Sequence, residues 1–243
     1  MGKSLIVQKR GKGSPTYRAP SFRYYGDIKY LKVGKGEVLK MKVEDIVKSQ
    51  PHSAPIVELR TIEPTNKNLR LSLIAVEGIK VDDTILYGYS KEVRVGNVLP
   101  LSNIPEGTIV CNIEANPGDG GKFARSSGSF ARVVGKMNNK VIIQLPSKKE
   151  RVFDQNCFAT IGTVAGFGRK EKPFLKAGNK YYYLKARNKR YPRIHATSMN
   201  AVQHPFGGSS SAHKGRPTIA PKNAPPGRKV GKLRPKRTGR KKR

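Results

Sequence analysis

The 243-residue chain has no tryptophan, only two cysteines, and no apolar run near the roughly 18–20 residues that a membrane-spanning helix needs. Its start, Met1-Gly2-Lys3-Ser4, lacks the apolar stretch of a signal peptide. Cys111 and Cys157 lie in apolar, strand-like surroundings and cannot supply the four thiolates of a zinc site. The sequence therefore predicts buried free thiols and a cytoplasmic location.

Acidic residues are missing from both ends of the chain. Overall, 49 Lys and Arg oppose 16 Asp and Glu, for a formal net charge of +33. Residues 1–25 contain six basic residues and residues 172–243 contain 21, whereas all 16 acidic residues lie between Asp27 and Glu171. The middle thus resembles an ordinary globular protein. Self-repulsion at the two ends calls for a polyanionic partner: RNA, DNA, an anionic membrane or an acidic protein.

Alternating apolar and polar residues indicate β-strands through the middle of the chain. Short strands without long helical patterns favour an all-β fold built of two small barrels. We predict a basic N-terminal arm over residues 1–30, a first barrel over 31–90, a second barrel over 91–172, and an extended basic tail over 173–243.

The predicted elements can be placed from this alternation and from turn residues. Strands are predicted at Val57–Thr61, Leu69–Val76, Thr84–Tyr89, Ile109–Ile113, Ala131–Gly135, Val141–Leu145 and Ala159–Val164. Turns are predicted at 63–68, 116–121 and 137–140. Val43–Ser49 suggests a helical turn, and Pro173–Arg190 suggests one helix. The N-terminal arm is expected to be extended because its apolar residues show no period.

The C-terminal tail is too poor in apolar residues to fold by itself. From Asn188 onward, only seven of 56 residues are Val, Ile, Leu, Met or Phe. Such a segment cannot offset its ordering entropy, so we expect it to become ordered on a partner. The basic run from Arg228 to Arg243 is suited to neutralising phosphates, although a purely solubilising tail is the alternative.

RNA is favoured over DNA as the polyanion. The sequence contains no helix-turn-helix, zinc finger, basic zipper or RNP aromatic motif. Small barrels with Gly-rich arms suit irregular, folded RNA, between whose helices an extended chain can thread. A DNA-compacting, chromatin-type protein remains the alternative, and membrane attachment is disfavoured because no apolar face or lipidation signal accompanies the charge.

Two features resemble catalytic or phosphate-binding sites. His204 lies near Ser209–Ser211, but no acidic residue follows Glu171 to orient the histidine, and no nucleophile elbow surrounds the serines. We therefore predict that the chain is not an enzyme. The Gly-rich stretch Gly118–Ser129 does not have P-loop spacing. It fits a basic loop on a nucleic-acid backbone and a simple hairpin connection equally well.

Three stretches together resemble one known family. They are Val98-Leu99-Pro100-Leu101-Ser102-Asn103-Ile104-Pro105-Glu106-Gly107-Thr108, the run Asn116–Gly128, and Met199-Asn200 followed by His204-Pro205 and Gly207-Gly208. They resemble the universal large-subunit ribosomal protein family uL2, and the resemblance covers nearly the whole chain. Phe206 stands where bacterial members have a second histidine, so the chain resembles the archaeal and eukaryotic branch, and most closely archaeal members.

The resemblance implies an OB-like barrel followed by an SH3-like barrel, with extended ends. It also implies binding to large-subunit rRNA near the peptidyl-transferase centre, and roles in subunit association, tRNA binding and peptide-bond formation. The partners would be rRNA, neighbouring ribosomal proteins, the small subunit at an inter-subunit bridge and, indirectly, tRNA. The chemistry belongs to RNA, and His204 would support RNA architecture.

From charge and resemblance together, we predict a set of rRNA contacts. No protein-held cofactor is expected, since structural Mg²⁺ or K⁺ would be held mainly by rRNA. The predicted contacts are Lys9, Arg10, Lys12, Arg18, Lys122, Arg125, Arg132, Lys185, Arg187, Lys189, Arg190, Arg193, Met199, Asn200, His204, Gly207, Gly208, Lys214, Arg216, Arg228, Lys229, Arg234, Lys236 and Arg237.

Overall fold

The computed structural model describes residues 2–34, 36–62, 69–210, 212–235 and 237. Within these residues, regular structure consists of ten strands, two α-helices and three 3-10 turns. The strands are β1 (Val38–Val47), β2 (Ile56–Thr61), β3 (Arg70–Ile74), β4 (Thr84–Gly88), β5 (Val98–Pro100), β6 (Ile109–Cys111), β7 (Ala131–Met137), β8 (Lys140–Gln144), β9 (Glu150–Asp154) and β10 (Phe158–Ile161). The helices are α1 (Ile6–Gly11) and α2 (Ala177–Lys185), and the 3-10 turns are Ser21–Arg23, Leu101–Asn103 and Ala196–Ser198.

All ten strands belong to one sheet, in the order β3-β2-β1-β4-β5-β10-β6-β7-β8-β9. Neighbouring strands are antiparallel, except that β4 and β5 are parallel where Tyr87 pairs with Val98. The mostly β architecture confirms the predicted all-β class. The closure of the two halves into OB-like and SH3-like barrels remains a prediction.

Alternation along the strands buries apolar side chains in three clusters, two large ones and a smaller one around Ile56 and Cys111. In β1, Leu39, Met41 and Val43 are buried, while the intervening lysines are exposed. This first core contains residues of β1–β4 together with Val98 of β5, and the second core contains residues of β5–β10. Phe158 of β10 reaches into the first core, where its ring stacks on Tyr87 at 6.0 Å between centroids. An aromatic contact therefore links strands from the two halves.

Strand β1 corrects the helical turn predicted at Val43–Ser49. The pairing of β1 with β2 shifts register between Val43 and Asp45, as in a β-bulge. The extra residue breaks the two-residue period, so that Val43, Ile46 and Val47 recur at intervals of three and four. That spacing imitates one face of a helix although the chain is extended.

Both helices differ from their predictions. The N-terminal arm is not wholly extended, because α1 forms at Ile6–Gly11, where the Gln8 side chain accepts the Leu5 N–H at 2.8 Å. That hydrogen bond satisfies a donor at the start of the helix. α2 is shorter than the predicted Pro173–Arg190: it begins after the extended Lys176 and its last residue is Lys185.

The two cysteines are buried and free, as predicted. Burial raises the pKa of Cys111 to about 12, and burial together with the nearby Glu114 charge raises that of Cys157 to about 12. Both thiols therefore stay protonated and unreactive at neutral pH. No helix in the described ranges has the length and apolarity needed to cross a bilayer.

The chain divides into two compact units. The strand unit is Phe22–Pro173, and the terminal unit combines Met1–Ser21 with Phe174–Arg243. Within the terminal unit, the Lys3 N–H donates to the Val202 carbonyl at 2.7 Å, and the Asn188 amide donates to the Arg18 carbonyl at 2.6 Å. The N-terminal segment and the tail thus contact each other. The four-segment division stays a prediction, and the predicted turn at 63–68 and the contact at Lys236 lie outside the described residues.

Candidate nucleic-acid interface

A buried carboxylate shapes the Gly-rich loop. Glu114 follows β6 and is only 1% exposed. Its Oε1 accepts the Gly120 N–H at 3.0 Å, and its Oε2 accepts the N–H groups of Gly118 at 3.2 Å and Phe158 at 2.9 Å. Three N–H donors offset the cost of burying the charge. The loop is therefore anchored to β10 through one side chain, and the negative charge of Glu114 is directed inward.

Asp119 also uses its charge within the loop. Its carboxylate accepts the N–H groups of Ala115 and Asn116, each at 3.2 Å. The last amide of the loop that donates to a carboxylate is that of Gly120. Lys122 lies two residues later and is exposed. Both acidic residues of the loop thus serve its backbone, and Lys122 is left as a solvent-facing cation.

Two glycines allow the loop to pack closely on other backbone segments. A Cβ added at Gly120 would lie 2.8 Å from the Lys29 Cβ, and one added at Gly121 would overlap the side-chain oxygen of Asn112. Both glycines have positive φ, 85° and 88°. L-residues rarely adopt that conformation, so both space and backbone geometry require glycine here.

Arg125 ties the loop to the segment before β1. Its guanidinium donates to the Gly121 carbonyl at 3.0 Å and to the Ile28 carbonyl at 2.8 Å. Burial lowers the pKa of Arg125 from its ordinary value, while the nearby Tyr30 and Asp27 oppose that shift. Arg125 thus has an architectural role, and the two backbone carbonyls occupy part of its donor set.

The stretch His204–Gly208 in the terminal unit folds back on Met199-Asn200. The Gly208 N–H donates to the Met199 carbonyl at 3.0 Å, and the His204 N–H donates to the Asn200 carbonyl at 3.2 Å. A Cβ added at Gly207 would lie 2.7 Å from the Asn200 carbonyl oxygen. The small residues therefore permit a close approach of the chain to itself.

His204 and Phe206 support each other within this turn. The Phe206 N–H donates to the His204 Nδ1 at 3.0 Å, so that nitrogen acts as an acceptor. Burial lowers the pKa of the His204 imidazole, which favours the neutral form that this hydrogen bond requires. Phe206 is 5% exposed and is, with Pro20, one of two buried apolar residues among the described residues of the terminal unit.

Replacing Gly207 by alanine is expected to loosen this turn. The added methyl group meets backbone carbonyls that cannot rotate away, and such overpacking typically costs about 1–3 kcal/mol. Exchange of the Gly208 amide, which donates to Met199, should accelerate roughly 5- to 150-fold. Gly215→Ala is the matched control, since a Cβ there meets nothing within 4 Å. Equal exchange rates in the two variants would show that the turn does not depend on Gly207.

α2 and the residues after it combine aromatic rings with cations. The Arg187 guanidinium lies 3.8 Å from the centre of the Tyr183 ring, and the Lys185 ammonium lies 5.8 Å from that of Tyr181. A cavity of about 380 Å³ is lined here by Tyr17, Tyr181 and Tyr191 together with neighbouring basic residues. Rings and cations on one surface are the chemistry used to bind single-stranded nucleic acid.

Comparisons with known proteins show the family to which the chain belongs. The family model "Ribosomal Proteins L2, C-terminal domain" matches residues 94–227, more than half of the chain. The large ribosomal subunit protein uL2 of Archaeoglobus fulgidus is 48% identical over 239 residues, covering 98% of this chain and 99% of that protein. The uL2 proteins of Haloarcula marismortui and Methanosphaera stadtmanae are 47% and 48% identical over 240 and 242 residues, with 98–99% of each chain covered. The chain belongs to the uL2 family, in its archaeal form.

Most of the predicted contacts of this uL2 family member lie at the surface. Lys236 falls outside the described residues, and the rRNA contacts themselves remain predictions. The exposed members of the predicted set are Lys9, Arg10, Lys12, Arg18, Lys122, Arg132, Lys185, Lys189, Arg190, Arg193, Asn200, Gly208, Lys214, Arg216, Arg228, Lys229, Arg234 and Arg237.

Five predicted residues of this uL2 family member are half-buried and have internal contacts. Met199, His204 and Gly207 form the turn described above, while Arg125 and Arg187 donate to backbone carbonyls. Within its own unit, each of these residues holds the local backbone in place.

Two kinds of candidate residue in this uL2 family member could not be predicted from the sequence. Glu114 was not predicted because a single acidic residue gives no sign in the sequence that it is buried. Lys148, Arg169 and Lys170 were not predicted, although they line one cavity with the predicted Arg132. They come from separate segments that only the fold brings together. In the described ranges, no group of three or more His, Cys, Asp or Glu side chains is arranged to hold a metal ion.

Proposed function

We propose that the chain is a structural constituent of the large ribosomal subunit and binds large-subunit rRNA near the peptidyl-transferase centre. The observation that carries this proposal is the charge of the terminal unit. Met1–Ser21 and Phe174–Arg243 together contain 25 Lys and Arg and no Asp or Glu. Neutralisation must therefore come from outside this unit, and rRNA phosphates supply it with release of counterions.

The small apolar core of the terminal unit supports the same proposal. A segment that buries so few apolar side chains obtains little stabilisation from the hydrophobic effect. Binding to a folded RNA adds the missing free energy, because charge neutralisation and close backbone contacts accompany ordering. The strand unit adds its own exposed cations, such as Lys122 and Arg132, to the surface proposed to bind rRNA.

We further propose that the chain acts without catalysing a reaction itself. The His204 Nδ1 is occupied by the Phe206 N–H, and the terminal unit provides no carboxylate to orient the ring. Structural Mg²⁺ or K⁺ in the complex would be held mainly by rRNA, with no cofactor held by the protein. The protein supports peptide-bond formation by organising RNA, and RNA supplies the chemistry.

The further partners in this proposal are neighbouring ribosomal proteins, the small subunit at an inter-subunit bridge and, indirectly, tRNA. Its place of action is the cytoplasmic ribosome, as membership of the uL2 family implies. Such membership does not favour the alternative of a DNA-compacting protein.

Co-sedimentation tests the proposal directly. Protein made in its own cells is expected to travel with the large subunit through moderate salt. At one stated salt concentration, large-subunit rRNA should also displace duplex DNA from the purified chain. The preference for rRNA should persist as the salt concentration rises. Recovery of the protein only in RNA-free fractions, or equal competition by duplex DNA at high salt, would contradict the proposal.

A further inference from the structure

A cavity of about 490 Å³ lies in the strand unit, between β7, β8 and the loop that follows β10. Its volume falls within the range of about 300–1,000 Å³ typical of small-ligand sites. The side chains that matter are Phe130, Arg132, Gln144, Lys148, Phe167 and Lys170. They come from three separate stretches of the chain.

Two loops hold each other in place to form the cavity wall. The Gly128 N–H donates to the Val164 carbonyl at 2.9 Å, and the Val164 N–H donates to the Ser129 carbonyl at 3.2 Å. A Cβ added at Gly128 would lie 2.9 Å from both the Cα and a ring carbon of Phe167, and Gly128 has a φ of 69°. Glycine at this position lets the Phe167 ring lie directly against the loop backbone. The ring is therefore positioned by the fold.

Both phenylalanines of the cavity are exposed. Phe167 is 69% and Phe130 is 45% accessible, and neither belongs to any of the three apolar clusters of the strand unit. Phe130 precedes β7, whose residues alternate so that Arg132 also faces outward. Two rings held at the surface of one cavity indicate an apolar, flat occupant.

The charged residues that line the cavity indicate the chemical class of the ligand. The cavity is lined by four basic residues and one acidic residue, Glu171. Among the described ion pairs, none involves Arg132, Lys148 or Lys170. Arg132 pairs across the strands with Gln144, which places an amide beside a guanidinium. The occupant thus needs a flat apolar face, edge groups that hydrogen-bond, and negative charge.

We propose that this cavity binds one unpaired nucleotide of RNA, a site that rests on the proposed function and deepens it. The base stacks on Phe167 and Phe130, Gln144 meets its polar edge, and Arg132 and Lys148 hold the adjacent phosphates. A segment of another protein is the competing occupant, but the excess of cations disfavours it.

Substitutions of the Phe167 ring distinguish a bound RNA base from a bound protein segment. In the full chain bound to large-subunit rRNA, Phe167→Trp is expected to keep the wild-type affinity because a base can stack on indole. Phe167→Leu keeps apolar volume but has no ring, so affinity should fall roughly fivefold or more, the low end of base–aromatic stacking. Phe22→Leu is the matched control, since Phe22 is exposed in the same unit and does not line this cavity. Its affinity should be unchanged.

The salt dependence of binding provides a second arm. Each of the variants Arg132→Gln and Lys148→Gln should make the negative slope of log affinity against log salt shallower by about 0.7. That is the value for one single-stranded phosphate contact. Phe167→Leu should lower affinity at every salt concentration and leave that slope unchanged. Slopes unaltered in both cation variants would overturn the phosphate contacts and with them the nucleotide site.

Crosslinking by ultraviolet light locates the base. In the complex of the full chain with rRNA, mass spectrometry should find a nucleotide adduct on the peptide containing Phe167 or Phe130, and Phe167→Leu should reduce it. If the chain stays on rRNA while Phe167→Leu binds as well as wild type and Phe167→Trp binds worse, the cavity holds an apolar protein segment and this inference fails alone. If the chain does not stay on rRNA, the proposed function fails as well.

Discussion

Replacing Glu114 by alanine is expected to lower the free energy of unfolding by about 3–5 kcal/mol, one of the largest effects for a single residue in the chain. The substitution leaves the N–H groups of Gly118, Gly120 and Phe158 without their acceptor. Gly120 and Phe158 are buried, and each of their donors left unsatisfied costs about 1–3 kcal/mol, whereas the exposed Gly118 adds less because water can replace its acceptor. Denaturant unfolding of the intact protein, monitored at fixed salt, measures the change.

Glu106→Ala is the matched control for Glu114. Glu106 is exposed and accepts a single backbone hydrogen bond, from the Lys136 N–H at 2.8 Å. Its loss should cost about 1 kcal/mol or less, because water replaces the acceptor. Glu114→Gln should fall between the two, since its oxygen can still serve Gly118 and Phe158 while its NH₂ opposes the Gly120 N–H. Equal losses for Glu106→Ala and Glu114→Ala would refute the anchoring role.

Truncation after Tyr191 is expected to weaken rRNA binding strongly while the strand unit stays folded. The deleted residues contain 14 Lys and Arg and contribute no side chain to any of the three apolar clusters of the strand unit. If half of these cations contact phosphate, the slope of log affinity against log salt should fall by about 5–6. Filter binding over a salt series measures the slope, and the thermal transition of the strand unit reports folding.

A full-length variant with those 14 cations replaced by glutamine separates the contribution of the tail's charge to rRNA affinity from that of its uncharged contacts. It should lose the same salt slope as the truncated protein but keep the His204–Gly208 turn, and so retain more affinity at high salt than the truncation does. Loss of the strand unit's thermal transition in the truncated protein would mean that the core extends into the tail. An unchanged salt slope would mean that the tail does not contact phosphate.

Much of the fold could be predicted because alternation is a local property. β2, β3, β4, β6, β7, β8 and β10 all form within or close to their predicted ranges. β5 and β9 were missed for opposite reasons: β5 is buried at all three positions, whereas β9 has one buried residue in five, so neither alternates. β1 was misread because a register shift changes the period inside the strand.

The candidate interface could be predicted only in part, because charge and burial are different properties. Exposed cations such as Lys122 and Arg132 can be picked from composition and resemblance. Arg125 cannot be told from them in the sequence, yet its guanidinium is tied to two backbone carbonyls. Phe167 looks like an ordinary core residue in the sequence and is 69% exposed in the fold.

By itself the sequence determined the separation of charge, the β character of the middle and the family. These follow from residue types and short-range order, which do not depend on how the chain folds. The tertiary structure alone decided that Glu114 underlies the Gly-rich loop, that the Gly207-Gly208 pair packs on Met199-Asn200, and that Phe130 and Phe167 share a cavity with lysines and arginines. Each depends on how the backbone turns or on which segments meet in three dimensions, and neither residue type nor apolar alternation carries that information.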